Sequence, residues 1–472
     1  MLHAKALIGG AWIDSTHTVE VRDPYRREVV GTAPISSMED VDAALNAATA
    51  ARDAAAAMPG YERAALLRRI AALIERDVAP LAELMTRETG KAVKDSDSEI
   101  RRSLETFALA AEEAIRIEGR HVPLDGSAMG AGKMAFLMRF PVGVVAAITP
   151  FNAPFNLAAH KIAPALAAGN TLVLKPPPQT PLIVHRLAEL VAEAGTPAGM
   201  VNTVYGGADI GAALVADPRV DFITFTGSSR AGAAIKATSG LRRVALELGG
   251  NGATIVHEDA DLAPAAAVCA RNSMRLAGQS CISVQTVYVH EAVYAPFLDL
   301  VATEVGKLRL GDPLDPKTDV GTLIDEAAAC RIENWVHEAH RTGARVVTGG
   351  KRTGAAFEPT VLTEVKPDMK VVCEEVFGPV INVIPYAHID DAFAAINAGT
   401  YGLQAGIFTR SNELSLAAFR RLRVGGVIIN GSSTWRTDQL AYGGVKASGI
   451  GREGPRYAIE DMTEQRLIVF NL

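Results

Sequence analysis

Cys281 lies in Gly278-Gln279-Ser280-Cys281, thirty-four positions after Glu247 in Glu247-Leu248-Gly249-Gly250-Asn251. The thiolate is the strong nucleophile among side chains. A carboxylate beside a thioester can activate the water that cleaves it. Each residue stands in a tight glycine-containing segment, so the fold has to bring the two together. The chemistry they suggest is covalent: a sulfur adduct that forms, turns over and is hydrolysed.

The elements that position them follow from composition and rhythm. At 472 residues the chain exceeds one compact core, and two or three domains are expected. Hydrophobic residues make up 49%, enough to fill those cores and to exclude a disordered chain. The net charge of −6 comes with no basic stripe, which argues against nucleic acid as a partner. Four cysteines, at 269, 281, 330 and 373, form no CxxC and no Cys/His cluster with metal-ligand spacing. Neither a metal site nor a disulfide framework is expected; a reducing, cytoplasmic setting is. Met1 to Lys5 lead to Gly9-Gly10 and Trp12 without a long apolar run, so no secretory leader is expected. The most apolar region, 142–174, is interrupted by Pro150, Asn152, Pro154, Lys161 and Pro164, which rules out a clean membrane span.

The first 120 residues read as mostly helical. Ser36-Ser37-Met38-Glu39 has the form of a capping box before an Ala-rich helix. Tyr61 to Asp77 sets Leu66, Leu67, Ile70, Leu73 and Ile74 at helical spacing, and 96–118 predicts another helix. From residue 142 the rhythm changes. Apolar runs over Val142 to Thr149, Thr171 to Lys175, Val201 to Tyr205, Phe222 to Phe225 and Arg243 to Leu248 alternate with helical stretches. This predicts an α/β fold with a doubly wound parallel sheet, whose ligands bind beyond the C-terminal strand ends. A second α/β series runs from Ala253 to about Asn430, clearest at Val284 to Val289, Ile381 to Ile384 and Val427 to Asn430. Lys133 to Arg139 and Gln465 to Phe470 read as strands outside both series. They are free to pair with each other or to extend a neighbouring subunit's sheet.

Seven segments, in order, resemble those of the aldehyde dehydrogenase superfamily over nearly the whole chain. They are Thr149-Pro150-Phe151-Asn152-Ala153-Pro154; Lys175-Pro176 with Thr180-Pro181; Phe225-Thr226-Gly227-Ser228; Glu247-Leu248-Gly249-Gly250; Gly278-Gln279-Ser280-Cys281; Glu374-Glu375-Val376-Phe377-Gly378-Pro379; and Tyr442-Gly443-Gly444-Val445-Lys446 with Ser448-Gly449. The resemblance implies a dinucleotide-binding domain over 1–118 and 142–248 and a catalytic domain over 249–440. It also implies a bridging β element, 119–141 with 455–472, that builds homodimers or homotetramers.

The resemblance also implies roles. Cys281 attacks an aldehyde to give a thiohemiacetal, Asn152 helps hold the oxyanion, and Glu247 activates the water that hydrolyses the thioester. Lys161 matches a lysine with an electrostatic role near the site. The ordinary GxGxxG fingerprint is absent, and Phe225-Thr226-Gly227-Ser228 alone would be no more than a helix cap. By resemblance, Gly227, Ser228 and the helix they open meet a pyrophosphate. Lys175 reaches the adenine ribose, Glu375 holds the nicotinamide ribose with Phe377 beside it, and Thr149, Phe151 and Leu248 complete the cofactor set. NAD-preferring relatives carry a Glu three residues after the lysine; here that place is Pro178, which leaves NAD and NADP both open.

On the substrate side, His160 stands where many relatives place a bulky aromatic. Arg102, Arg275 and Arg436 fall in segments that border the tunnel, and arginine suits carboxylate, phosphate, phosphonate or sulfonate groups. The stretch 430–452, with Arg436, Asp438 and Gly-Arg-Glu at Gly451, Arg452 and Glu453, is similar to the branch acting on lactaldehyde, phosphonoacetaldehyde or glyceraldehyde 3-phosphate. The expected reaction is NAD(P)-dependent oxidation of a short, polar, anionic aldehyde to its carboxylate. The alternatives are a relative that passes the thioester to coenzyme A, or a non-catalytic binding protein on the same scaffold. No membrane or nucleic-acid partner is expected.

Overall fold

Both α/β series become doubly wound sheets in the computed structural model, which describes residues 1–472. The first sheet runs in the order Val201–Thr203, Thr171–Lys175, Val144–Ile148, Phe222–Thr226, Arg243–Glu247 and Gly449–Ile450. Its neighbours are parallel except the last, an antiparallel graft from the C-terminal region that pairs Gly449 with Glu247. Helices Gly60–Arg76, Val93–Ala114, Pro154–Ala168 and Pro181–Glu193 bury against one face. Met38–Ala57, Ala208–Ala216 and Ser229–Ser239 cover the other. Burial on both faces explains why these strands read as unbroken apolar runs. The order reverses between Val144–Ile148 and Phe222–Thr226, and such a switch point makes a ligand-binding crevice beyond the C-terminal strand ends of a doubly wound sheet.

The second sheet has seven strands, ordered Arg345–Thr348, Thr360–Thr363, Val380–Tyr386, Val284–His290, Gly252–Val256, Gln404–Phe408 and Gly426–Ile429. Only the first pair is antiparallel. Leu262–Met274, Glu291–Gly306 and Glu326–Arg341 cover one face; Ile389–Ala398 and Asn412–Arg421 cover the other. The two stray strands pair with each other: Thr463–Asn471 lies antiparallel to Lys133–Pro141, and Arg120–Val122 completes a three-stranded sheet. Thr463–Asn471 is one of its two edge strands, Arg120–Val122 the other.

The first 120 residues are mostly helical, but only from Met38 onward: residues 1–37 form short strands, including Thr18–Arg22 paired with Val29–Pro34. β-branched Thr18, Val19, Val21, Val29, Val30 and Thr32 favour that state, and helical spacing begins only at Met38. The capping box is shifted by one residue. Ser37 caps Met38–Ala57 and Asp40 returns the bond, while the Ser36 hydroxyl accepts from the Tyr205 amide at 2.9 Å. The helix expected at 96–118 spans Val93–Ala114. No helix is long and apolar enough to cross a membrane.

Candidate active site

Arg275 to Gly278 form a tight turn in which Leu276 (φ 57°), Ala277 (φ 52°) and Gly278 (φ 71°) take left-handed backbone. That conformation is unfavourable for Leu and Ala and persists only where surroundings enforce it. Gln279 supplies part of the enforcement. Its Oε1 accepts from Ile324 N at 3.0 Å, and its Nε2 donates to Leu276 O at 3.1 Å. At Gly278 a Cβ would strike the Gly378 carbonyl, so this turn touches the segment that carries Glu375 and Phe377. The turn delivers Cys281 just ahead of the strand Val284–His290. Burial pushes the Cys281 thiol up to about 11, opposed by the Tyr442 hydroxyl 3.1 Å from Sγ.

Glu247 ends the strand Arg243–Glu247 and is 4% exposed, with neither carboxylate oxygen hydrogen-bonded. Burial, then the charge of Glu453, pushes its pKa well above the usual carboxylate range, against the pull of Lys161, Arg436 and Arg452. The strand exit is fixed through the backbone. Gly227 N donates to Glu247 O, Leu248 N donates to Ser448 O, and Ser448 Oγ donates to Gly249 O at 2.7 Å. A Cβ at Gly250 would meet the Cys281 carbonyl, which shows how closely the two glycine-containing segments abut.

The Asn152 side chain donates through Nδ2 to Gln279 O at 3.0 Å, leaving its second amide proton free. The turn that carries it rests on a buried Lys91–Glu99 ion pair. Glu99 Oε1 accepts from the amides of Phe155 and Asn156, which open the helix Pro154–Ala168, and Lys91 Nζ donates to Asn152 O at 3.1 Å. A carboxylate at a helix N-terminus is favoured there by the helix dipole.

Thr149, Phe151, Lys175, Gly227, Ser228 and Leu248 all lie at or just past C-terminal strand ends of the first sheet, around the crevice. Thr149 Oγ1 and Thr226 Oγ1 are buried without a partner. Ser228 caps Ser229–Ser239, and Leu248 lies against Gly232 of that helix. Lys175 donates to Pro176 O at 3.1 Å; burial pushes its pKa down to about 8, opposed by Asp209. Glu375 accepts from Gly250 N at 3.1 Å and is pushed up to about 7 by burial, against that bond and Arg331. Phe377, at φ 49°, sets its ring edge-on to Phe151 with centroids 5.8 Å apart. Unpaired hydroxyls, a helix N-terminus facing the crevice and a near-buried carboxylate fit a dinucleotide, which offers phosphates and ribose hydroxyls to match them.

Behind Cys281 and Glu247 sits a buried charge network. Glu453 accepts from Lys161 Nζ at 3.1 Å and from Arg436. Although burial opposes it, His160, Lys161 and Arg436 hold the Glu453 carboxyl well below the usual range. Asp438 accepts from Arg102 Nε at 3.0 Å and from Thr106, with His160 Nε2 3.4 Å away. Burial again opposes, but His160, Arg102 and Arg436 keep Asp438 ionised. Burial lowers the pKa of His160. The Arg436 guanidinium lies 3.7 Å over the Tyr442 ring, and its Nε and His160 Nδ1 are both buried without partners. The structure thus brings His160, Arg102 and Arg436 together. Arg275 instead pairs with Asp95 and Ser98 on Val93–Ala114 and makes no hydrogen bond or ion pair to the network.

The model of the aldehyde dehydrogenase family matches residues 12–468. The chain belongs to the aldehyde dehydrogenase family. It is 45% identical over 467 residues to a 3-sulfolactaldehyde dehydrogenase of Priestia megaterium, covering 98% of this chain and 97% of that one. The crystal structure of aldehyde dehydrogenase 21 from Physcomitrella patens with its reaction product succinate superposes with a TM-score of 0.97 at 38% identity, covering 100% and 98% of the two chains. The NADP-dependent glyceraldehyde-3-phosphate dehydrogenase of Bacillus halodurans, complexed with NADP, gives a TM-score of 0.98 at 35% identity over 100% of each chain.

As an aldehyde dehydrogenase the protein oxidises aldehydes with NAD or NADP. Its site sets a half-buried thiol, a carboxyl with a raised pKa and an amide donor against a cofactor crevice. Such a site can form, oxidise and hydrolyse a sulfur adduct. The sequence marked Glu453 and Asp438 only as parts of a matching C-terminal stretch, and gave Lys91 and Glu99 no role. Their partners lie hundreds of positions away or in another element, and no local spacing signals that.

Proposed function

We propose that this dehydrogenase oxidises a short aldehyde bearing an anionic group, a sulfonate, phosphonate, phosphate or carboxylate, to the corresponding carboxylate. The observation that carries the proposal is Arg436: a buried guanidinium next to the Tyr442–Cys281 contact, with an unpaired Nε–H. An unsatisfied buried donor costs about 1–3 kcal/mol, which an anionic ligand would recover. Names given to relatives agree in kind, since sulfolactaldehyde, succinate and glyceraldehyde 3-phosphate all carry anionic groups.

In this reading, Cys281 Sγ attacks the carbonyl carbon while Asn152 and the Cys281 amide stabilise the oxyanion. Thr149, Phe151, Lys175, Gly227, Ser228, Leu248, Glu375 and Phe377 hold the dinucleotide, which supplies the hydride acceptor. Glu247, once ionised, takes a proton from the water that cleaves the thioester, and Lys161 with Glu453 carries the surrounding charge. Glu247 favours hydrolysis over transfer to coenzyme A. Residues 1–118 and 142–248 serve as the dinucleotide-binding domain and 249–440 as the catalytic domain. Segments 119–141 and 455–472 form the bridging element. The outer strand Thr463–Asn471, with Leu467, Ile468, Val469 and Phe470 exposed, would join a homodimer or homotetramer by edge pairing. The cytoplasm is the proposed setting, since the catalytic thiol must stay reduced.

Two measurements test this. Anionic aldehydes such as sulfolactaldehyde, phosphonoacetaldehyde and succinic semialdehyde should reduce the cofactor without coenzyme A, far ahead of neutral aldehydes of equal length. Arg436→Met should then raise KM for the anionic substrates about 10–100-fold, the worth of a charged hydrogen bond, and affect neutral ones much less. Equal effects on both classes would refute the assignment. For the cofactor, Lys175→Met should weaken NADP binding about 10-fold or more and NAD binding much less, because only NADP carries a 2′-phosphate. Lys175 loses its charge as pH rises through about 8, so the wild-type preference for NADP should decline above that pH. A preference independent of pH and of the substitution argues that Lys175 does not face the 2′-position.

A further inference from the structure

Tyr442 is 4% exposed, and its hydroxyl has one hydrogen-bond partner, the Cys281 sulfur at 3.1 Å. Its position is fixed from two sides. The backbone bridges to Glu453 in both directions, with Tyr442 N donating to Glu453 O at 3.0 Å and Glu453 N donating to Tyr442 O at 2.6 Å. The ring is covered by the Arg436 guanidinium, and Ile282 and Leu403 pack with Tyr442 against Cys281. A buried hydroxyl so constrained cannot turn to another acceptor.

The neighbours of Cys281 pose an electrostatic problem. Burial opposes ionisation of its sulfur, and the charges of Glu375 and Glu247 add to that opposition. Arg436 is the cation nearest in influence, but it is bonded to Glu453 and stacked on the phenol. The direct hydrogen bond to the sulfur therefore comes from Tyr442. Burial and the neighbouring thiol push the phenol pKa well above its usual value, so it keeps its proton when the thiol loses one. The cation over the ring draws electron density from the phenol and strengthens it as a donor.

We propose that Tyr442 is a catalytic residue of this dehydrogenase: its O–H donates to the Cys281 thiolate, stabilising and aiming the nucleophile, while Arg436 stacked on the ring reinforces the donor. The proposal rests on the reading of Cys281 as the nucleophile. No bond is made or broken at Tyr442. The thiol proton leaves to water or to Glu247 in its ionised form, the phenol proton stays on its oxygen, and the bond slackens as sulfur gives its electron pair to the carbonyl carbon. Arg436 thereby links the two ends of the site, touching the substrate's anionic group on one side and the nucleophile's donor on the other.

The test is alkylation of Cys281 by iodoacetamide, followed on its own peptide by mass spectrometry, without aldehyde or cofactor. A hydrogen bond to a charged acceptor is worth about 1.5–3 kcal/mol, or about one to two pH units in the thiol's titration. A less stabilised thiolate is also more nucleophilic, with a Brønsted slope of about 0.5, so about half of the logarithmic effect survives. Tyr442→Phe should therefore slow alkylation at pH 7 about 3–10-fold and move its pH profile upward, with the melting temperature and cofactor affinity unchanged. Incorporation of 3-fluorotyrosine at 442, a more acidic phenol, should move the profile downward; this arm decides if the Phe variant fails to fold. A profile that moves in neither protein overturns the proposal. Because no turnover is measured, that result is distinct from failure of the nucleophile assignment, which would show as activity retained in Cys281→Ser.

Discussion

Cys281→Ser should reduce kcat/KM for every aldehyde by about 10⁴–10⁶-fold, the range seen when a covalent nucleophile is removed. The hydroxyl is nearly the size of the thiol but ionises far less readily. Here burial already pushes the sulfur up to about 11, and an oxygen in its place would stay protonated at any working pH. Cofactor binding and the melting temperature should be retained, because the contacts of residue 281 with Ile282, Leu403 and Tyr442 are those of a small side chain. Steady-state assay alongside cofactor titration checks this. Turnover within tenfold of wild type would remove Cys281 from the reaction.

Glu247→Gln should leave the first half of the reaction largely intact and slow the second by about 10²–10⁴-fold, the usual worth of a general base. A rapid-mixing experiment should then show one reduced cofactor formed per site, followed by a stall, with an acyl group on Cys281 detectable by mass. Loss of the burst together with the steady rate would mean that Glu247 acts earlier. The pH dependence has a definite sign. Burial raises the carboxyl pKa well above 4.5, so the base form grows as pH increases, and the wild-type hydrolytic rate should keep climbing at pH values well above the ordinary carboxylate range. Stability moves the other way. Above about 4.5 the unfolded chain has released this proton while the folded protein still holds it, so folding stability falls as pH rises toward the folded-state pKa. Gln carries no such proton. The gap in Tm between Glu247→Gln and wild type should therefore widen in the variant's favour from pH 5 to 9; a constant gap would contradict the buried-acid description.

Much of this was readable in advance where local chemistry and local pattern coincide. The apolar runs at 144–148, 171–175 and 222–226 are strands buried on both faces, and no other element of that length needs such composition. The pairing of 133–141 with 463–471 is not legible in the sequence because strands 330 residues apart carry no mark of their partner. The N-terminal strands before Met38 are two to six residues long, too short for alternation to stand out in the sequence although the segment is rich in β-branched residues. Arg275 and Arg436 looked equivalent, since an arginine's role depends on what surrounds its guanidinium. One meets Asp95 at a half-exposed surface, and the other lies over Tyr442 with its side chain only 7% exposed.

The sequence by itself determined the class of chemistry: a thiol and a carboxyl in glycine-containing turns, set into a doubly wound α/β chain with family motifs in order. It could do so because nucleophile type and strand periodicity are properties of residues and their near neighbours. Only the tertiary structure decided the state of those groups. Glu247 has a raised pKa because burial at the strand end and the charge of Glu453 disfavour its ionised form, and Asn152 is aimed because Lys91 and Glu99 hold its turn. The Cys281 sulfur meets a phenol 161 positions away. Desolvation and hydrogen bonding act through space, and distance along a chain does not encode them.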